Sequence, residues 1–176
     1  MGPSPEAIFE LRRLISTVAL ITAVFALGTA TTSVRAAGAD IAVKGAWSLA
    51  ITADDLVGGP GSELRPTYES LPDQVLLSVS KTAGIASKWR IDVRRANVNW
   101  PNGVRLFIRV SDPGTGAGLV DADGAYREVE AAEHAIMSGT GDRSATAIQF
   151  RLTGMSLKVA ANIYSTSIIF SVVDIP

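Results

Sequence analysis

A chain of 176 residues, 47% hydrophobic and 19% charged, has the material for a sizeable core, and a formal net charge of −1 gives it no general attraction to nucleic acid or an anionic membrane. It contains no cysteine and one histidine. Disulfide staples, thiolate ligands and metal sites using two imidazoles of one chain are therefore excluded.

The first predicted element is a leader. Arg12 and Arg13 close a short charged stretch, Leu14 to Leu27 form an apolar run, and small residues follow as far as Ala36. The run falls short of the about 20 apolar residues that a spanning helix needs. Such an order describes a secretory signal peptide over residues 1–36, cut before Ala37 or, alternatively, after Ala30. The arginine pair lacks a preceding polar residue, which favours the general secretory route over folded-state export. Removal leaves residues 37–176 as a single domain with 13 Lys and Arg against 15 Asp and Glu. No Cys follows to carry a lipid and no later apolar run reaches spanning length. The product is expected to be secreted, extracellular or at the cell surface, or periplasmic, with no membrane span after cleavage and no nucleic-acid partner.

From residue 43 onward the dominant signal is apolar residues at period two, the mark of strands with one buried face. Ala39, Ile41 and Val43 alternate with Asp40 and Lys44. This segment is either an ordinary first strand or one exchanged with a neighbouring molecule, with Gly45 as hinge. Trp47, Leu49 and Ile51 form the next strand, which ends at Asp54-Asp55 and the turn-rich Gly58 to Ser62. Val75, Leu77 and Val79 mark a third. Trp89, Ile91 and Val93 interleave with Lys88, Arg90, Asp92 and Arg94. Asn102-Gly103 then predicts a hairpin turn to a returning arm with Val104, Leu106, Ile108 and Val110 on its core face. Asp112 to Gly118 ends that arm as a glycine-rich, mobile connection. Residues 125–137 fit a short helix or two small strands equally well. Ile148, Phe150 and Leu152 alternate again, with Met155, Leu157 and Val159 continuing past a bulge at Gly154, and Tyr164 to Val173 forms a long terminal strand.

Short strands joined by turns, without crossover helices, predict an all-β fold: a single immunoglobulin-like antiparallel sandwich of about 7–9 strands.

Chemistry-bearing residues are sparse. A nucleophilic triad would need His134 as base with Ser138 or Ser144 and Glu133, but no Gly-x-Ser-x-Gly elbow is present, and His134 reads as a loop histidine. Asp121 and Asp123 before Gly124 resemble the start of a calcium loop, yet the distal position 132 is Ala and not Glu, so an acidic turn is the reading. Asp54 and Asp55 are adjacent and belong to a strand-ending turn, not to a glycosidase pair. Neither glycine-rich stretch has the strand, helix and Lys of a phosphate loop. No cofactor, metal or catalytic residue is expected, and the chain is not expected to be an enzyme. If 88–95 and 104–110 form a hairpin, Arg90 and Arg94 lie across from Arg105 and Arg109, with Arg151 adjoining. That face, with Trp100 in the turn, would suit a surface polysaccharide or an acidic neighbour, or would simply keep the sheet soluble.

The closing Tyr164-Ser165-Thr166-Ser167-Ile168-Ile169-Phe170-Ser171-Val172-Val173 resembles the last strand of secreted pilin-like and spore-coat-U-like proteins. The leader, the short strands and the size after cleavage extend the resemblance, whereas the cysteine pair common in those families is missing. The resemblance implies an immunoglobulin-like sandwich serving as a surface or filament subunit, sometimes completed by a neighbour's strand, and it transfers no catalytic residue. The expectation is thus an exported, non-catalytic structural subunit of a surface layer, pilus or fibre that self-associates through its terminal strands. The alternative is a soluble binding module for carbohydrate or another surface ligand.

Overall fold

The computed structural model describes residues 21–25, 38–96 and 100–175, and for 21–25 the backbone alone. The rest of the expected leader and the expected cut before Ala37 lie outside the described residues, as do positions 97–99. Among the described residues thirteen strands follow one another: β1 (Ile21–Phe25), β2 (Asp40–Gly45), β3 (Trp47–Ile51), β4 (Thr67–Glu69), β5 (Val75–Ser80), β6 (Lys88–Ala96), β7 (Arg105–Asp112), β8 (Val120–Asp121), β9 (Arg127–Glu128), β10 (His134–Thr140), β11 (Arg143–Thr153), β12 (Ile163–Tyr164) and β13 (Ser167–Ile175). The described residues include no α-helix, only a short 3-10 turn at Ala53–Asp55.

The period-two pattern becomes a two-sheet sandwich. The larger sheet runs β2-β5-β11-β7-β9, with β4 pairing beside β5 on β11, and the smaller runs β13-β6-β10-β8; every ladder in both is antiparallel. Val75, Leu77 and Val79, then Leu106, Ile108 and Val110, then Ile148, Phe150 and Leu152 line the inner face of the larger sheet. Trp89, Ile91 and Val93 with Ile168 and Phe170 oppose them from the smaller, and all are buried. At roughly 1.5–3 kcal/mol for each fully enclosed large apolar side chain, this double stripe dominates the fold's stability.

A third, three-stranded sheet has the order β12-β1-β3. Its β1 runs antiparallel to β3, from Ile21 opposite Ile51 to Phe25 opposite Trp47, and parallel to β12, with Thr22 opposite Ile163 and Ala23 opposite Tyr164. Trp47 reaches the main core and stacks on Phe150 at 6.0 Å between ring centres.

Three local expectations change, and the open choice at 125–137 is decided for strands. The segments 88–96 and 105–112 are not hairpin arms, because β6 is central in one sheet, held by β13 and β10, and has no free edge for β7. The connection through Asn102-Gly103 carries the chain from one sheet to the other, so both apolar stripes meet across a single core. Residues 125–137 resolve into β9, a loop and the start of β10, not a helix. The predicted continuation past Gly154 is irregular, with Met155 buried but Leu157 54% exposed. The terminal strand is broken at Ser165 and Thr166 into β12 and β13.

The loop Asp112 to Gly118 also differs from a loose connection. Its Thr115 pairs with Ser144 in both directions at 2.8 Å, and a Cβ on Gly118 would stand 1.7 Å from the Thr140 carbonyl oxygen. Glycine is required there because two backbones touch.

Candidate functional site

Splitting β6 from β7 divides the expected arginine face. Arg90 and Arg94 lie on the outside of the smaller sheet, where Arg90 grips Asp92 through two bonds of 2.6 and 2.7 Å. Arg105, Arg109 and Arg151 lie on the outside of the larger sheet, and each is engaged. Arg105 Nε donates to Glu128 at 2.9 Å and Arg151 Nε to Glu69 at 2.7 Å. Arg109 Nε donates to Gln149 Oε1 at 2.8 Å. The ring of Tyr126 lies between Arg109 and Arg151, whose guanidinium carbons stand 4.9 and 3.6 Å from its centre. The guanidinium beside Glu128 holds its carboxyl below the usual range. This is an interleaved lattice of cations, carboxylates and an aromatic ring, not a bare cationic strip. Polyanion binding would have to break existing pairs.

Trp100 does not stand free as a stacking platform. It is half-buried against the core, and its indole N–H donates to the Val104 carbonyl at 2.7 Å. One ring face carries the Arg95 guanidinium at 4.6 Å. Arg95 is not among the sequence candidates, although the same alternation that buries Trp89, Ile91 and Val93 assigns position 95 to the inward side. Its Nε and Nη1 are enclosed without a hydrogen-bond partner, and burial draws its pKa down, partly opposed by Glu128. An open cleft of about 410 Å³ lies over this end of the sandwich, lined by Arg95, Trp100, Asn102, Arg105 and Glu128 among others.

Comparison with protein-family models, curated proteins and solved structures gave no match.

The remaining candidates are placed in structural roles. Asp123 accepts from Ala125 N at 3.0 Å and pairs with Arg127, and both contacts lower its pKa. Among the described residues no three His, Cys, Asp or Glu side chains gather as a metal-ligand group. Asp55 accepts from Thr52 N at 2.9 Å while the Thr52 hydroxyl accepts from Asp54 N, which makes the acidic pair the frame of the 3-10 turn. His134 and Ser138 share β10, about 13 Å apart along an extended strand. Ser144 belongs to the other sheet. These three do not form a triad.

Ala39, Ile41 and Val43 are half-buried against the core, and β2 pairs along all six of its residues with β5 of the same chain. In this structure the segment pairs within its own chain as β2. The strand lying between β3 and β12 is β1, within the run expected to be a leader. Sequence reasoning assigned β1 wholly to export, and no local signal marks Ile21–Phe25 as a ladder partner.

Proposed function

We propose that the protein is an exported, non-catalytic structural subunit of a cell-surface layer, pilus or fibre, built on an immunoglobulin-like sandwich and assembling through its terminal strands. One observation carries this reading. Among the described residues β3 and β12 have β1 as their only ladder partner, and β1 lies in the run that reads as a removable leader. A product lacking residues 1–36 would present two strand edges across a gap one strand wide. Unpaired edges of that kind invite intermolecular strand addition.

A second reading, a soluble module for a carbohydrate or other surface ligand, draws on the cleft beside Trp100 and the unpartnered Arg95 donors. Size-exclusion chromatography and electron microscopy of the exported protein separate the two. Concentration-dependent oligomers or filaments support the subunit, and a monomer retained on a glycan array supports the module. A strict monomer that binds no glycan defeats both.

A further inference from the structure

We propose that the cleft over the end of the sandwich is a site for an acidic sugar, in which the Arg95 guanidinium takes the carboxylate of a uronate and Glu128 accepts from its hydroxyls. The proposal rests on the second reading, that this cleft takes a ligand, and names the chemical class of that ligand.

Arg95 is prepared for an anion. Among the described residues its guanidinium makes no hydrogen bond or ion pair, and its Nε and Nη1 are enclosed, which leaves Nη2 as the nitrogen to meet a ligand. Its position is set in advance. The Arg95 backbone N–H donates to the Glu130 carbonyl at 2.7 Å, and the guanidinium lies 4.6 Å from the centre of the Trp100 ring. That ring is itself held by the 2.7 Å bond from its indole N–H to the Val104 carbonyl. A donor fixed before the ligand arrives loses little freedom on binding. A half-buried cation without a counter-ion is also an electrostatic deficit, which a carboxylate at Nη2 removes.

The rest of the lining selects among anions. Both bonds from Arg105 to Glu128 end on Oε2, so Oε1 is left as an acceptor, and Asn102 adds an exposed amide that donates and accepts. Sulfate has no hydroxyl hydrogen to give Oε1, and its two charges would stand in the same cleft as the Glu128 carboxylate. A neutral sugar would use the acceptor and leave the Arg95 charge uncompensated. A uronate joins one carboxylate to several hydroxyls, so it uses the cation and the acceptor together. The cleft, at about 410 Å³, falls within the roughly 300–1,000 Å³ of small-molecule sites. Unlike the arginines on the outer faces that grip Asp92, Glu128 and Glu69, Arg95 has no existing ion pair for the ligand to break.

The test is calorimetric titration of the exported protein with methyl glucuronide and methyl galacturonide. The matching methyl glucoside and galactoside, which carry a hydroxymethyl group in place of the carboxylate, and sodium sulfate are titrated beside them. At least one uronide should bind, its neutral counterpart should bind at least about tenfold more weakly, and sulfate should not displace it. Arg95→Met should abolish that preference. Arg94→Met, the same change of charge one residue away on the outer face of β6, should leave it intact, with circular dichroism confirming the fold of both variants. Absence of uronide binding, equal binding of the neutral sugar, displacement by sulfate at equal concentration, or a folded Arg95→Met that keeps the preference overturns the proposal. The comparison of uronide with neutral sugar is made on the parent protein and needs no variant to fold. A glycan array addresses the underlying reading separately. Retention of neutral glycans without uronides refutes the acidic-sugar assignment alone, whereas retention of no glycan refutes the carbohydrate-module reading with it.

Discussion

Trp89 is the side chain whose removal tests the core most directly. It is fully enclosed near the start of β6, and its indole N–H donates to the Gly141 carbonyl at 2.7 Å. Truncation of a buried Trp to Ala costs about 3–5 kcal/mol, and the orphaned carbonyl adds about 1–3 kcal/mol. Together these approach the whole stability of an ordinary domain, about 5–15 kcal/mol. The site has little room to collapse, because the Gly139 backbone lies so close that a Cβ there would stand 2.6 Å from Trp89 Cζ2. Trp89→Phe separates the two contributions by keeping a ring and removing the donor, and should cost about 2 kcal/mol. Urea titration followed by far-ultraviolet circular dichroism reads both variants without relying on tryptophan emission. A loss below about 1 kcal/mol for Trp89→Ala would mean that β6 is not the central strand, and Trp89→Phe indistinguishable from the parent would mean that the Gly141 bond contributes nothing.

Arg95 is a half-buried cation whose Nε and Nη1 have no partner, so Arg95→Met should leave stability unchanged or raise it by about 1 kcal/mol, measured by the same titration; a loss above that would mean its stacking on Trp100 outweighs burial of the charge. The Tyr68 hydroxyl is enclosed without a partner, and burial, with a smaller contribution from Asp55, pushes its pKa up to about 12 from 10.0. Since the fold favours the neutral phenol, its contribution is complete below pH 10 and is lost as pH rises toward 12, and Tyr68→Phe should flatten the alkaline limb of unfolding free energy against pH. Gly118→Ala should cost about 1–3 kcal/mol or rearrange the loop, whereas Gly84→Ala, with nothing within 4 Å of the added Cβ, should stay within about 0.5 kcal/mol by thermal melting.

What the sequence made legible follows from what period two encodes. Alternation reports which face of a strand is buried, and the inward residues of β5, β6, β7 and β11 are buried as their phase demands. It does not report which strand lies alongside. Arg90 and Arg105 share an outward phase and even a plausible turn between them, yet they belong to different sheets because β13 and β10 already hold both edges of β6. The ion pairs were unreadable for the same reason: Glu69 meets Arg151 only because β4 docks on β11, 82 residues later in the chain. The glycine-rich loop was misjudged because composition records freedom in an isolated chain, whereas close backbone contact uses the same missing Cβ for packing. Arg95 could have been found by applying the strand phase one step further.

The pairing of β13 with β6 constrains when this core can exist. Every residue of β6 from Lys88 to Ala96 has its partner in Ser167–Ile175, the last stretch described. A ribosome supplies that stretch after all the other described strands, at about 5–20 residues per second. Until then the central strand of the smaller sheet lacks one neighbour and Phe170 is missing from the interior. In a chain made N-terminus first, the smaller sheet therefore closes only when its last described strand has emerged.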